Sequence, residues 1–189
     1  MVTESAGSRD RERAERHARM WKLGARLRYV PLARKIVQAA ADLGETATVL
    51  ELGCGPALLA IELHKAWPAA TFVGVDPSPD MLRIAGRNAG AAGMHAFQPK
   101  LGKAEAIPMA DGSVDLVISQ SSFHEWEDQR QGLAEVLRVL RPAGRVILVE
   151  YNRDWLSPWK RALLGLIRHN HMFNFSYADV AGMLAEAGF

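Results

Sequence analysis

Short apolar runs alternate with amphipathic stretches through the middle of the chain, and this alternation restricts the fold more than any other feature. TVLEL (48–52), TFVGVD (71–76), MHAFQPKL (94–101), VDLVIS (114–119) and RVILVE (145–150) read as strands. PALLAIELHKAW (56–67), PDMLRIAGRNAGAAG (79–93) and QRQGLAEVLRVL (129–140) read as helices between them, the last closed by Arg141-Pro142-Ala143-Gly144. Strands separated by helices of this length pair in parallel through right-handed crossovers, so the chain is expected to form an α/β, doubly wound, mainly parallel sheet. The third strand is the weakest, because Pro99 removes a ladder donor and belongs at a sheet edge.

The flanks complete an outline of one domain, in keeping with 189 residues. Residues 1–8 read as a disordered tail. Residues 9–44 read as a helical lid, broken near Tyr29-Val30-Pro31 because proline disfavours a helical residue before it. Residues 45–151 form the core, and 152–189 an insert with a last helix that Ser176 caps, Asp179 standing at capping-box spacing. No apolar run approaches the roughly 18–20 residues of a membrane helix, and the N-terminus has no apolar signal region. Cys54 is the sole cysteine, which fits a reducing, cytoplasmic setting. Residues 1–35 carry ten Arg/Lys against four Asp/Glu, whereas the remainder carries thirteen against seventeen. That basic arm could bind nucleic acid; equally, RDRERAERHAR alternates the two signs as a solvated helix face does.

In such a sheet, ligands bind beyond the carboxyl ends of the strands, at the switch point of strand order. GCGPA (53–57) lies at the end of the first strand and opens a helix. Gly53 and Gly55 can adopt positive φ and admit a ligand close to the backbone, and Pro56 suits a first helical position. Asp76 ends the second strand, where a carboxylate can accept hydrogen bonds from a ribose diol. A dinucleotide fingerprint would place a third glycine at Leu58, and Glu51 just before the turn would repel a diphosphate. A carboxylate at that point attracts an ammonium group instead, which favours an adenosine bearing an amino acid over NAD.

Taken together, ELGCGPA, GVDPSPDML, AEAIPMADGSVDLVIS and LAEVLRVLRPAGRVILVE resemble, in order and at normal spacing over about residues 45–151, the motifs of class I S-adenosylmethionine (SAM) dependent methyltransferases. The likeness is to the small-molecule branch that includes ubiquinone and menaquinone biosynthesis enzymes. It implies a sheet of order 3-2-1-4-5, SAM as cofactor and S-adenosylhomocysteine (SAH) as product. It implies that Glu51, Gly53 and Gly55 border the methionine end of SAM and that Asp76 holds the ribose. Met81 would lie against the adenine, Ala104 and Glu105 along its edge, and Ser119 with Gln120 near the methyl group. Ala57 stands where a third glycine is usual, and Lys103 where an acid usually receives the adenine amino group; lysine cannot accept that bond. In the family a C-terminal strand hairpin follows EAGF; either the chain is cut short here or it lacks that hairpin, and without it RVILVE would lie at an edge to be covered by residues 153–187 or by a second copy of the chain.

Acceptor-side candidates cluster in SSFHEWED (121–128). His124 is a candidate general base, its basicity raised by Glu125 or Glu127, or else a residue that packs the loop. Trp126 either stacks on an acceptor or anchors the loop to the core. The insert at 151–175 carries Tyr151, Trp155, Trp159, Phe173 and Phe175, which suits a planar or lipophilic small acceptor or, more simply, a helix covering the sheet. His169 and His171 lack a third ligand at metal-site spacing, so no metal is expected. Cys54 reads as small packing. Trp21, Leu23 and Tyr29 would face the pocket from the lid. Two other functions fit the same motifs: a SAM-binding module without turnover, and an RNA or protein methyltransferase using the basic arm. Against the latter, the fourth-strand motif lacks the Asn/Asp-Pro-Pro-aromatic loop of enzymes that methylate base nitrogens.

Overall fold

The computed structural model describes residues 3–152, 154, 156, 157 and 175–189. Five parallel strands, β1 (Thr48–Leu52), β2 (Thr71–Asp76), β3 (Gln98–Leu101), β4 (Val114–Gln120) and β5 (Leu140–Val149), form one sheet in the order β3-β2-β1-β4-β5. The expected doubly wound topology is therefore present, with β3 and its Pro99 at an edge. β5 starts at Leu140 rather than Arg145, because Arg141 to Gly144 lie in a bulge between the pairs Val114–Leu140 and Leu116–Arg145.

Helices α1 (Thr3–Lys22), α2 (Ala25–Ala39), α3 (Leu58–Ala66), α4 (Pro79–Ala91), α5 (Gln129–Val139) and α6 (Tyr177–Ala187) surround the sheet. Alternate strand residues feed opposite faces, as a two-residue period demands. Val49, Phe72, Leu116 and Ile118 pack with Tyr29, Ile36, Leu59 and Leu63 of α2 and α3. Leu50, Leu52, Val73 and Val117 pack with Phe123, Trp126, and Leu133 and Val136 of α5, with Val180 and Leu184 of α6 outside them. Leu50, Leu52, Leu116 and Ile118 are fully buried, each contributing roughly 1.5–3 kcal/mol of transfer free energy.

The N-terminal region departs from expectation twice. The tail expected to be disordered is helical from Thr3, since TESA contains no proline and nothing there interrupts the helix. The break falls at Gly24, whose φ of 75° sits in the left-handed region, while Pro31 lies inside α2. Pro31 removes only one helical hydrogen bond, and Tyr29, Ala33 and Ile36 hold α2 to the core on either side of it. The charges of α1 are used within the chain. Arg83 and Arg87 of α4 reach Glu15 at 3.2 and 3.1 Å, and Arg11 lies 3.7 Å from Asp80. Beneath them Ala14 and Ala18 pack on Ile84 and Met81. The capping box of Ser176 and Asp179 is formed as expected. Among the described residues, no helix is long and apolar enough to cross a membrane.

Candidate active site

The turn after β1 holds three consecutive alternate residues at positive φ: Gly53 at 68°, Gly55 at 49° and Ala57 at 59°. The Gly53 and Cys54 amides donate to the Val75 carbonyl at 2.8 and 3.1 Å, tying the turn to the end of β2. What the glycines make room for is protein. A methyl on Gly53 would lie 2.3 Å from Ser122 Oγ, and one on Gly55 would lie 2.8 Å from the Trp21 ring. Pro56 does not open the helix as expected. α3 begins at Leu58, because Ala57 takes a left-handed conformation and donates its amide to Cys54 O at 2.9 Å. That conformation costs an alanine roughly 1–2 kcal/mol. The Cys54 thiol is buried and its pKa is driven well up by desolvation, in keeping with packing rather than nucleophilic chemistry.

Asp76 sits across from this turn. Its Oδ2 accepts from the Gly55 amide and its Oδ1 from the Ser78 amide, each at 2.9 Å. Burial raises its pKa, and the two amides oppose that rise. Beside it opens a cavity of about 360 Å³ whose walls include Met81, Ala104, Glu105 and Trp126. Trp126 is buried, stands edge-on to Phe123 at 4.8 Å and donates from Nε1 to Ser122 Oγ at 3.2 Å. This geometry ties the loop to the core while Trp126 also lines the cavity. Lys103 pairs with Glu127, so the position that lacks an acid holds one by its side. Glu105 accepts from the Asp128 amide at 3.1 Å through Oε1.

A second cavity, about 570 Å³, lies on the other side of the turn and is walled by Arg28, Tyr29, Glu51, Gln120, His124 and Tyr151 among others. The two cavities meet at Trp21, Gly53, Ser121 and Glu125. Glu51 is 5% exposed and its Oε2 has no hydrogen-bond partner. Burial pushes its pKa up to about 8, the Ala60 amide opposing and Asp76 adding to the shift. His124 Nδ1 lies 2.6 Å from Glu150 Oε2, and Nε2 lies 3.4 Å from Glu125 Oε1. Burial opposes protonation of His124, but the hydrogen bond and charge of Glu150, with a smaller share from Glu125, outweigh it and raise the imidazole pKa.

Several sequence expectations need correction here. The stronger partner of His124 is Glu150, which was not expected; Glu125 adds the smaller share, as expected, and Glu127 is engaged by Lys103. Glu150 directly follows β5, which pairs with the β4 strand that leads into the His124 loop, so adjacent parallel strands bring the two together. Ser119 is fully buried, 3.3 Å from Ser122 Oγ, and Ser121 and Ser122 form the cavity wall in its place. Trp21 and Tyr29 line the second cavity, but Leu23 is 89% exposed, turned outward by its place at the end of α1 before Gly24. Trp155, Trp159, His169, His171 and Phe173 lie outside the described residues.

A parallel sheet of this order, with a glycine turn after its first strand and a buried carboxylate closing its second, defines a nucleoside-binding protein of the SAM-dependent methyltransferase class. The chain belongs to the methyltransferase domain family, whose model matches residues 49–144. It is 39% identical over 103 residues to a demethylmenaquinone methyltransferase of Deinococcus radiodurans, covering 54% of this chain and 42% of that protein. It is 35% identical over 133 residues to the demethylmenaquinone methyltransferase of Thermus thermophilus, covering 70% and 58%. The chain thus spans about half the length of such relatives. A crystal structure from Methanococcus maripaludis shares the fold, with a TM-score of 0.75 at 24% identity over 94% of this chain and 84% of that one.

Proposed function

We propose that the protein transfers the methyl group of SAM to a hydroxyl of a small, planar or lipophilic organic acceptor, with His124 as general base. The observation that carries this reading is the His124–Glu150 pair in the wall of the second cavity, beside the unpartnered carboxyl of Glu51. The residues present fit the cofactor. Asp76 faces the first cavity as a ribose acceptor would, Met81 and Ala104 give apolar walls for a purine, and Glu51 Oε2 is an orphaned acceptor suited to an ammonium group. When bound, SAM supplies a sulfonium-activated methyl group.

The chain's own residues then have two tasks. The two cavities, meeting at Gly53 and Ser121, align an acceptor with the methyl donor, and such alignment supplies a large part of the rate. His124, with Nδ1–H donated to Glu150, is held in the tautomer whose lone pair is on Nε2, the atom that takes the acceptor proton. Trp21, Tyr29 and Tyr151 add aromatic surface to that cavity, which supports a planar acceptor. So does the name carried by the two bacterial relatives, demethylmenaquinone methyltransferase. A cytoplasmic location and a small-molecule acceptor as partner belong to the same reading.

Isothermal titration with SAM and SAH, followed by turnover on a panel of phenols and quinols, tests the proposal. His124→Asn is expected to lower kcat by about 10²–10⁴-fold, the usual contribution of a positioned base, while SAH affinity stays within about twofold. Undiminished turnover by that variant would remove His124 from the chemistry.

A further inference from the structure

The corner between α1 and α2 carries a surface that the methyl transfer does not require. Residues 16–41 hold seven Arg/Lys and no Asp/Glu, although the whole chain carries 23 against 21, so the alternation of signs in α1 ends at Glu15. The same stretch exposes Met20 by 63%, Leu23 by 89% and Leu27 by 85%, with Trp21 beside them. Half of the eight large apolar side chains exposed among the described residues thus fall within eight consecutive positions. The fold explains why. Gly24, at a φ of 75°, turns α1 into α2, and the Leu23 amide donates to the Met20 carbonyl at 3.2 Å to close the corner. α1 packs Ala14 and Ala18 on Ile84, and α2 packs Tyr29, Ala33 and Ile36 into the core, which leaves Met20, Leu23 and Leu27 in solvent. Arg16, Arg19, Lys22 and Arg26 are exposed around them.

Exposed aliphatic side chains rimmed by charge mark an interaction surface. Two chemistries coincide in this one, and its partner must satisfy both. A nucleic acid supplies phosphates for the cations but no apolar bed for Leu23 and Leu27. The boundary between headgroups and acyl chains of an anionic bilayer supplies both, since aliphatic side chains enter it while Lys and Arg stay at the phosphates. We propose that the corner of α1 and α2 docks the protein on a negatively charged lipid surface, with Met20, Leu23 and Leu27 inserted and Arg16, Arg19, Lys22 and Arg26 against the headgroups. Met20 and Trp21 also line the second cavity, so docking brings the mouth of that cavity to the bilayer. A lipophilic acceptor then reaches His124 from the lipid; this entry route alone rests on the proposed methyl transfer.

Flotation of the purified protein with vesicles at fixed ionic strength tests docking without cofactor or acceptor, so its outcome is separate from that of the turnover assay. The wild type is expected to bind vesicles of mixed phosphatidylglycerol and phosphatidylcholine at least about tenfold more tightly than vesicles of phosphatidylcholine alone. Leu23→Ser with Leu27→Ser is expected to weaken that binding about tenfold, and Arg19→Gln with Lys22→Gln and Arg26→Gln about a hundredfold. All five side chains are exposed, so both variants are expected to keep the wild-type melting temperature; should the charge variant fail to fold, the serine variant still decides. A wild type that ignores the anionic vesicles, or binds both kinds alike, would overturn the proposal. So would either folded variant that floats as the wild type does. Anisotropy titration with labelled duplex and single-stranded oligonucleotides is the remaining arm: binding tighter than to the vesicles, and unchanged by the two serines, would overturn the lipid assignment and give the patch to nucleic acid.

Discussion

His124 Nδ1 and Glu150 Oε2 lie 2.6 Å apart, with side chains 4% and 9% exposed, so the loop after β4 is fastened to the end of β5 by a hydrogen bond largely shielded from water. Glu150 Oε1 also accepts from the Phe123 amide at 3.1 Å. Glu150→Gln keeps the shape of this clamp and removes its charge. The imidazole pKa is then expected to fall, moving the acidic limb of the kcat profile to lower pH and reducing kcat about tenfold to a hundredfold at its plateau. Stability follows with a definite sign. Because the folded pKa of His124 is raised, the pair stabilises fully below the unfolded value of about 6.5, and this contribution is lost as pH rises through the higher folded value. Denaturant titrations across that window should show a smaller pH dependence in the Gln variant.

With Glu51 placed at the ammonium end as proposed, cofactor binding is expected to release a proton. With a pKa of about 8 the carboxyl is mostly protonated at pH 7; an ammonium placed against it favours the ionised form. Calorimetry at pH 7 in buffers of different ionisation enthalpy is expected to detect release of up to about one proton per SAH bound, and none for Glu51→Gln. In the ligand-free protein the same group makes stability fall as pH rises from the ordinary carboxyl value of 4.5 to about 8, since the folded state retains the proton longer. The Gln variant lacks that slope.

Gly53→Ala tests the packing account of the turn. The added carbon would lie 2.3 Å from Ser122 Oγ and 2.4 Å from Ser122 Cβ, at a residue with φ of 68°. A loss of about 2 kcal/mol or more is expected, from overpacking and left-handed strain together. Ser122→Gly in the same chain should recover the overpacking share but not the strain. Chemical denaturation of the two variants measures both, and a Gly53→Ala protein as stable as the wild type would contradict this geometry.

Asp76→Ala removes the acceptor of the Gly55 and Ser78 amides as well as the proposed ribose contact. Each orphaned amide costs about 1–3 kcal/mol if it stays buried. Weaker SAH binding, by at least about tenfold, and a lowered melting temperature are expected together. Unchanged SAH affinity would argue against this cavity as the nucleoside site.

The sheet was legible because TVLEL, TFVGVD and VDLVIS are buried on both faces and the helices between them have the right length to cross over. Pro99 marked its edge by chemistry alone. The cavity wall was legible where one local feature pointed to it, as with Gly53, Asp76 and Met81. It was not legible where partners are distant in sequence. Glu150 meets His124 only through the pairing of β4 with β5, although a carboxylate ending a strand next to a His-bearing loop is a signal that could be sought. Ser122 displaced Ser119 because the chain turns at Ser121, whose φ of 52° is unusual for a serine. Ala57 and Gly24 show the same limit: backbone conformation at one residue moved a helix start and a helix break that composition placed elsewhere.

Trp21 stands against Gly55 and belongs to both cavities, yet it is carried by a helix fastened to α4 through Glu15, Arg83, Arg87, Arg11 and Asp80. The position of Trp21 against both cavities thus depends on surface ion pairs, which dissolved ions screen over about 10 Å at 0.1 M. Raised ionic strength is therefore expected to loosen the Trp21 wall before it disturbs the apolar core beneath the sheet.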